Sequence, residues 1–128
     1  MEQPEVKVTE IAFSGYSVTD IKRAQSFYEG TLGLKQSSWF GEENHAWVEY
    51  DIGPGTLAIT NSIPEWKPSS DGGVVSLEVE DFEAAVSRIR ADGVTTHGEP
   101  QETPVCWMLV IEDPDGNTLI LHKRKEEQ

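Results

Sequence analysis

The stretch Val18-Thr19-Asp20-Ile21-Lys22-Arg23-Ala24-Gln25-Ser26 sets the topology of the chain, because residues 79–87, V-E-D-F-E-A-A-V-S, repeat its pattern with Asp81 aligned to Asp20. After a one-residue gap, residues 32–34 (L-G-L) align with residues 92–94 (D-G-V). A repeat at a fixed spacing constrains topology more strongly than local propensity does. The sequence therefore predicts two related halves.

Each half is predicted to pass from a strand into a helix at its aspartate. A carboxylate at this position accepts the first free backbone N–H groups of a helix, so Asp20 and Asp81 are expected to be N-caps. Gly33 and Gly93 stand where a helix can end in a left-handed turn. Apolar residues recur at helical spacing between the caps and the glycines. They are Ile21, Ala24, Phe27, Tyr28 and Leu32, and then Phe82, Ala85, Val86 and Ile89.

Alternating apolar and polar residues predict four strands in each half. The first strands lead into Val18 and Val79, and further runs cover residues 35–40, 45–52, 56–61, 94–99, 105–112 and 117–122. Turn residues separate them at 53–55 (G-P-G) and 113–117 (D-P-D-G-N). The predicted class is α+β, with two βαβββ modules at about 6–62 and 74–123 joined by a linker at 63–73 in one domain, residues 1–128.

Composition limits the possible partners. The net charge of −13 would repel a phosphate backbone, so nucleic acid is not an expected partner.

No apolar run is long enough to cross a bilayer, and the N-terminal residues lack the pattern of a signal peptide, so a cytoplasmic location without membrane association is expected. The one cysteine, Cys106, has apolar neighbours and is interpreted as a buried thiol.

The motifs of both halves together resemble the vicinal oxygen chelate superfamily, which includes glyoxalases, extradiol dioxygenases, fosfomycin-resistance thiol transferases and bleomycin-binding proteins. The resemblance rests on residues 18–20, 27–28 and 32–34 in the first half and on residues 77–81 and 113–117 in the second. It covers about residues 8–122. It implies paired βαβββ modules whose curved sheets form a cleft, often completed by a second subunit, and hence a homodimer.

The resemblance also implies four positions that hold a divalent ion in the metalloenzymes of this superfamily. Counted from the two aspartates and along the last strands, these positions are Phe13, Ala58, Val74 and Ile120. None of these side chains has the oxygen, nitrogen or sulfur donor that a metal site needs. We therefore expect no metal, no cofactor and no catalytic residue of the usual kind, and this interpretation favours a binding protein over an enzyme.

The histidines allow one alternative. A displaced metal site formed by Glu49, Glu78 and His122 would make the protein a metal-dependent lyase, isomerase or dioxygenase. His45 is four strand residues from Glu49, about 13 Å away, so these two alone cannot share an ion. His97, beside Gly98, is interpreted as a loop residue and not as a ligand.

Strand parity predicts which side chains line the cleft. The predicted ligand-binding residues are Phe13, Trp47, Glu49, Thr60, Ser76, Glu78, Trp107 and His122. Aromatic faces beside carboxylates suit a flat or cationic organic molecule, and sequestration of such a molecule is the first hypothesis for function. Two alternatives stay open beside it. In one, Phe13, Val74 and Ile120 only fill the core, and in the other the domain is a subunit or regulator that binds no ligand.

Overall fold

The computed structural model describes residue 4 and residues 7–126, which form eight strands and two helices. The strands of the first half are β1 (Ser14–Ser17), β2 (Gln36–Gly41), β3 (Ala46–Ile52) and β4 (Gly55–Thr60). Those of the second are β5 (Val75–Glu78), β6 (Thr96–Glu102), β7 (Cys106–Glu112) and β8 (Thr118–Arg124). Helix α1 (Ile21–Gln25) continues as a π-helical segment (Ser26–Thr31), and α2 spans Phe82–Ala91.

Each half forms its own four-stranded sheet, as the repeat predicts. The N-terminal sheet has the order β1-β4-β3-β2, and the C-terminal sheet has the equivalent order β5-β8-β7-β6. The first and last strands of each module pair in parallel, with Gly15 opposite Ala58 and Ser76 opposite Ile120. The other pairings are antiparallel. The predicted pair of βαβββ modules is confirmed.

Both helices begin at the predicted aspartates. Asp20 accepts a hydrogen bond from the backbone N–H of Arg23, and Asp81 accepts the equivalent bond from Ala84. Gly33 and Gly93 follow the helices with φ angles of 74° and 66°, which only glycine adopts at low cost.

The first helix differs from the second by its π-helical segment. The backbone N–H of Leu32 bonds the carbonyl of Phe27, five residues earlier, at 2.9 Å. This widened turn holds one more residue than an α-helical turn, so it accounts for the one-residue gap in the repeat.

The helix-facing sides of both sheets belong to one hydrophobic core. Its members from the first module include Ile21, Tyr28, Val48 and Ile59, and those from the second include Ile89, Leu109, Ile111 and Leu121. The opposite side of each sheet, which we call its open face, therefore carries the side chains that are free to meet a ligand.

Two details of the sequence prediction are wrong. Strand β6 begins and ends later than the predicted run 94–99, because Val94 ends the helix connection by bonding the carbonyl of Ile89. His97 is a strand residue paired with Val110 and not a loop residue, and its Nε2 contacts Glu112 Oε2.

Over the described residues, no helix has the length and hydropathy to cross a membrane.

Candidate functional site

The open face of the N-terminal sheet carries a cluster of aromatic side chains. The rings of Phe13 and Trp47 meet edge to face with centroids 5.1 Å apart, and the ring of Trp66 lies 6.1 Å from that of Trp47. We call these three residues the aromatic patch. Trp66 comes from the linker, where the carbonyl of its own residue accepts a 2.9 Å hydrogen bond from Ser17 Oγ. The linker thus packs on the sheet.

The aromatic patch is accessible to solvent. Phe13 is 44% exposed and Trp66 is 45% exposed, and Phe40, opposite Trp47 in the strand pairing, is 59% exposed. Large aromatic side chains grouped on a surface are typical of a binding face. The side chain of Phe13 therefore does not fill the core, contrary to the alternative in which Phe13, Val74 and Ile120 only fill it.

A carboxylate is joined directly to this patch. Glu49 Oε2 accepts a 2.8 Å hydrogen bond from Trp47 Nε1, two residues earlier on the same face of β3. The bond fixes the orientation of the indole ring and places a negative charge at its edge. The predicted neighbour Thr60 is different, because it is only 1% exposed and its hydroxyl donates to the carbonyl of Ala46. Thr60 therefore lies opposite Trp47 in the strand pairing but is covered and not accessible to a ligand.

The open face of the C-terminal sheet brings Glu78 and His122 together. His122 Nδ1 lies 2.5 Å from Glu78 Oε1, and Glu78 Oε2 accepts a 2.7 Å bond from the backbone N–H of Arg124. These two bonds, the backbone bond foremost, lower the pKa of the Glu78 carboxyl. Ser76 lies on the same face and is exposed.

The structure separates Trp107 from the other predicted site residues. Its strand is apolar on both sides, so periodicity could not orient it. Trp107 pairs with Lys123 on the helix side of the C-terminal sheet, and the ammonium of Lys125 lies 4.9 Å from the centre of its ring. The prediction that Trp107 joins the residues of the open face is wrong.

The positions where relatives hold a metal do not fit a divalent ion in this chain. Phe13 and Val74 directly precede β1 and β5 and are 44% and 46% exposed, whereas Ala58 is buried and Ile120 is half-buried. The displaced arrangement is also incomplete, since Glu78 and His122 meet but Glu49 lies on the other sheet beside Trp47. Within residues 7–126, no three His, Cys, Asp or Glu side chains are grouped so that they could hold a metal ion.

Comparison with known families agrees with the two-module architecture. The family model of the Glyoxalase/Bleomycin resistance protein/Dioxygenase superfamily matches residues 10–121. The chain belongs to this superfamily. A comparison with curated proteins finds no match for this superfamily member.

Solved structures of similar proteins have the same fold. TnmS3, described as an antibiotic binding protein from Streptomyces sp. CB03234, is 24% identical with a TM-score of 0.76 and covers 94% of this chain and 100% of its own. A glyoxalase/bleomycin resistance protein from the same organism is 27% identical, with a TM-score of 0.71 and coverage of 88% and 98%. A superfamily member from Sphaerobacter thermophilus DSM 20745 is 25% identical, with a TM-score of 0.70 and coverage of 91% and 98%.

Proposed function

We propose that this superfamily member is a metal-independent binding protein that sequesters a flat or cationic organic molecule on its open sheet faces. The observation that carries the proposal is the aromatic patch, in which Trp47 contacts Phe13 and Trp66 while its indole N–H is held by Glu49. Small-molecule sites typically combine aromatic area with a few oriented polar groups.

The chemistry of the patch favours a planar ligand with a positive charge. Aromatic rings attract flat rings by stacking and attract cations through their negative faces. The carboxylate of Glu49 adds a negative charge at the edge of the same surface. A planar cation would use both features, whereas a planar neutral ligand would use only the first.

Metal independence is part of the proposal. The four positions that serve as ligands in the metalloenzymes carry Phe13, Ala58, Val74 and Ile120, which have no donor atoms. On the C-terminal open face, Glu78 and His122 are bonded to each other, and Glu49 is bonded to an indole. The side chains that would be needed for a displaced site are thus already paired.

We further propose that a second copy of the chain completes the cleft. Several large apolar side chains are exposed on the open faces and in the segment before β1. Phe40, Val74, Ile11 and Val8 are 59%, 46%, 79% and 82% exposed, respectively. Exposed apolar surface of this kind is typical of a binding or assembly face.

A cytoplasmic location stays a prediction, and so does the expectation that nucleic acid is not a partner.

The description of TnmS3 as an antibiotic binding protein supports the general class of function. At 24% identity, the similarity carries the fold and not the ligand, so the ligand class proposed for this chain rests on its own aromatic and acidic side chains.

Binding of proflavine, a planar cationic dye, tests the proposal. We expect saturable binding to the wild type, a loss of about tenfold or more in Trp47→Ala, and a loss of about fivefold in Glu49→Gln. Trp107→Ala and Glu83→Gln are the matched controls, since both lie away from the open faces. Equal proflavine affinity in Trp47→Ala and the wild type would overturn the proposal.

A further inference from the structure

A second cleft lies on the helix side of the C-terminal module, away from both open faces. It has a volume of about 860 Å³ and lies between α2 and the β6–β7 side of the sheet. We call it the helix-side groove. Its floor consists of buried or half-buried side chains, namely Phe82, Val86, Pro100, Trp107 and Lys123. Its rim consists of exposed residues, namely Glu80, Asp81, Glu83, Ser87 and Arg90.

The groove breaks the symmetry between the two modules. The pair Val48 and Ile59 in the first sheet is equivalent to the pair Leu109 and Leu121 in the second. Ala46 lies two residues before Val48 and Trp107 lies two residues before Leu109, so Ala46 corresponds to Trp107. Ala46 is fully buried. A small, covered residue in the first module thus corresponds to a large, partly accessible indole in the second.

In the first module, an exposed ion pair joins helix α1 to the β2–β3 connection. The ammonium of Lys22 on α1 binds the carboxylate of Glu43 in the β2–β3 connection at 2.7 Å. Glu83 has the same place on α2, two residues after the capping aspartate, and it lies on the rim of the groove. The two modules therefore differ here, because Glu83 forms no ion pair in the described residues and borders the groove.

The floor of the groove combines aromatic surface with the positive charge of Lys123, and the ammonium of Lys125 lies 4.9 Å from the centre of the Trp107 ring. Lys123 is directly opposite Trp107 in the strand pairing. In the described part of the chain, Arg90 and Lys125 form ion pairs with Glu99 and Glu102, but Lys123 forms none. The acidic groups of the groove are on its exposed rim, where water and salt screen them more strongly than a charge on the floor.

We propose that the helix-side groove binds an aromatic anion, with its ring against Trp107 and Phe82 and its acidic group on the ammonium of Lys123. A volume of about 860 Å³ is in the range of small-molecule sites. This site is separate from the aromatic patch and does not depend on the function proposed for the open faces. The chain would thus carry two sites of opposite charge preference.

The test uses two fluorescent probes of similar shape: the anion 1-anilinonaphthalene-8-sulfonate and its uncharged analogue N-phenyl-1-naphthylamine. We expect Lys123→Met to weaken binding of the anion by about fivefold and to leave binding of the uncharged probe within about twofold. Trp107→Ala should weaken binding of both probes by about tenfold. Lys35→Met, which removes an exposed positive charge from the first module, is the matched control and should change neither affinity.

The position of the bound anion is checked by amide NMR shifts, which should be largest at Phe82, Val86 and Lys123. Trp107→Phe retains an aromatic ring and should retain most of the affinity, so it separates a lost contact from a lost fold. Unchanged binding of the anion in both Lys123→Met and Trp107→Ala would overturn the proposal, as would shifts confined to Phe13 and Trp47. Neither result would affect the proflavine experiment.

Discussion

The phenolic hydroxyl of Tyr28 donates a 2.9 Å hydrogen bond to Oδ2 of Asp113, a residue of the other module. Both side chains are buried, and the same Asp113 oxygen accepts a second bond from Asn117 Nδ2. The backbone N–H groups of Asp115 and Asn117 bond the other carboxylate oxygen. Burial raises the pKa of Asp113, and these bonds oppose that shift. One carboxylate thus connects the first helix to the last turn of the second module.

Asp113→Asn is expected to lower the free energy of unfolding by about 1–3 kcal/mol, because the amide would direct N–H groups at donors that now bond a carboxylate. Tyr28→Phe removes one of these donors and should cost about 1 kcal/mol. Urea denaturation measures both values. A double variant whose loss equals the sum of the single losses would show that the two side chains are not coupled.

The sequence identifies residues 113–117 as a turn, but it does not reveal the buried hydrogen bonds of Asp113. Turn residues predict a change of chain direction, whereas the contact of Asp113 with Tyr28 depends on how the two modules pack. By contrast, the aspartate caps and the glycines at the helix ends depend on neighbouring residues only, so the sequence predicts them correctly.

Gly33→Ala should lower the free energy of unfolding by about 1 kcal/mol, because its φ of 74° is unfavourable for a residue with a Cβ. Gly30→Ala is the matched control. Gly30 lies in the π-helical segment, and a Cβ added there meets no atom within 4 Å. That variant should be neutral or slightly more stable, since alanine lowers the entropy of the unfolded chain. Equal thermal stability of the two variants would contradict the left-handed backbone conformation at Gly33.

Glu78→Gln should reduce stability at neutral pH and have no effect in strong acid. The pKa of Glu78 is lowered in the folded state, so its carboxylate contributes stability above its unfolded pKa of 4.5, and this contribution is lost as the pH falls through the folded pKa. The carboxylate is half exposed, so we expect less than about 1 kcal/mol. Glu42→Gln is the control in urea denaturation at several pH values, because Glu42 is an exposed strand-connection residue that forms no ion pair in the described residues. A difference that persists unchanged into acid would rule out the electrostatic explanation.

Gly15 is expected to control the position of Phe13. A Cβ built at Gly15 would lie 3.7 Å from Phe13 Cε1, which is an ordinary contact. Gly15→Ala should therefore leave proflavine binding within about twofold, whereas the branched side chain of Gly15→Val should displace the ring and weaken binding by about fivefold. If both variants bind proflavine as tightly as the wild type does, Phe13 does not contribute to binding at the aromatic patch.

The candidate site was only partly predictable, for reasons of strand pattern. Trp47 and Glu49 alternate with buried residues, so parity assigns them correctly to the open face. Trp107 lies in a run with apolar residues on both sides, so parity gives no direction for it. Trp66 lies in the predicted linker, and strand parity cannot assign it to the patch because its contact with Trp47 depends on how the linker crosses the sheet.

Metal analysis of the purified protein, combined with proflavine titration, tests most directly the claim that the open faces bind a ligand without a metal. We expect far less than one transition metal ion per chain after incubation with Mn²⁺, Zn²⁺ or Ni²⁺ and dialysis, and the same proflavine affinity with and without a chelator. About one retained ion per chain, lost in Glu78→Ala/His122→Ala together with proflavine binding, would contradict the account.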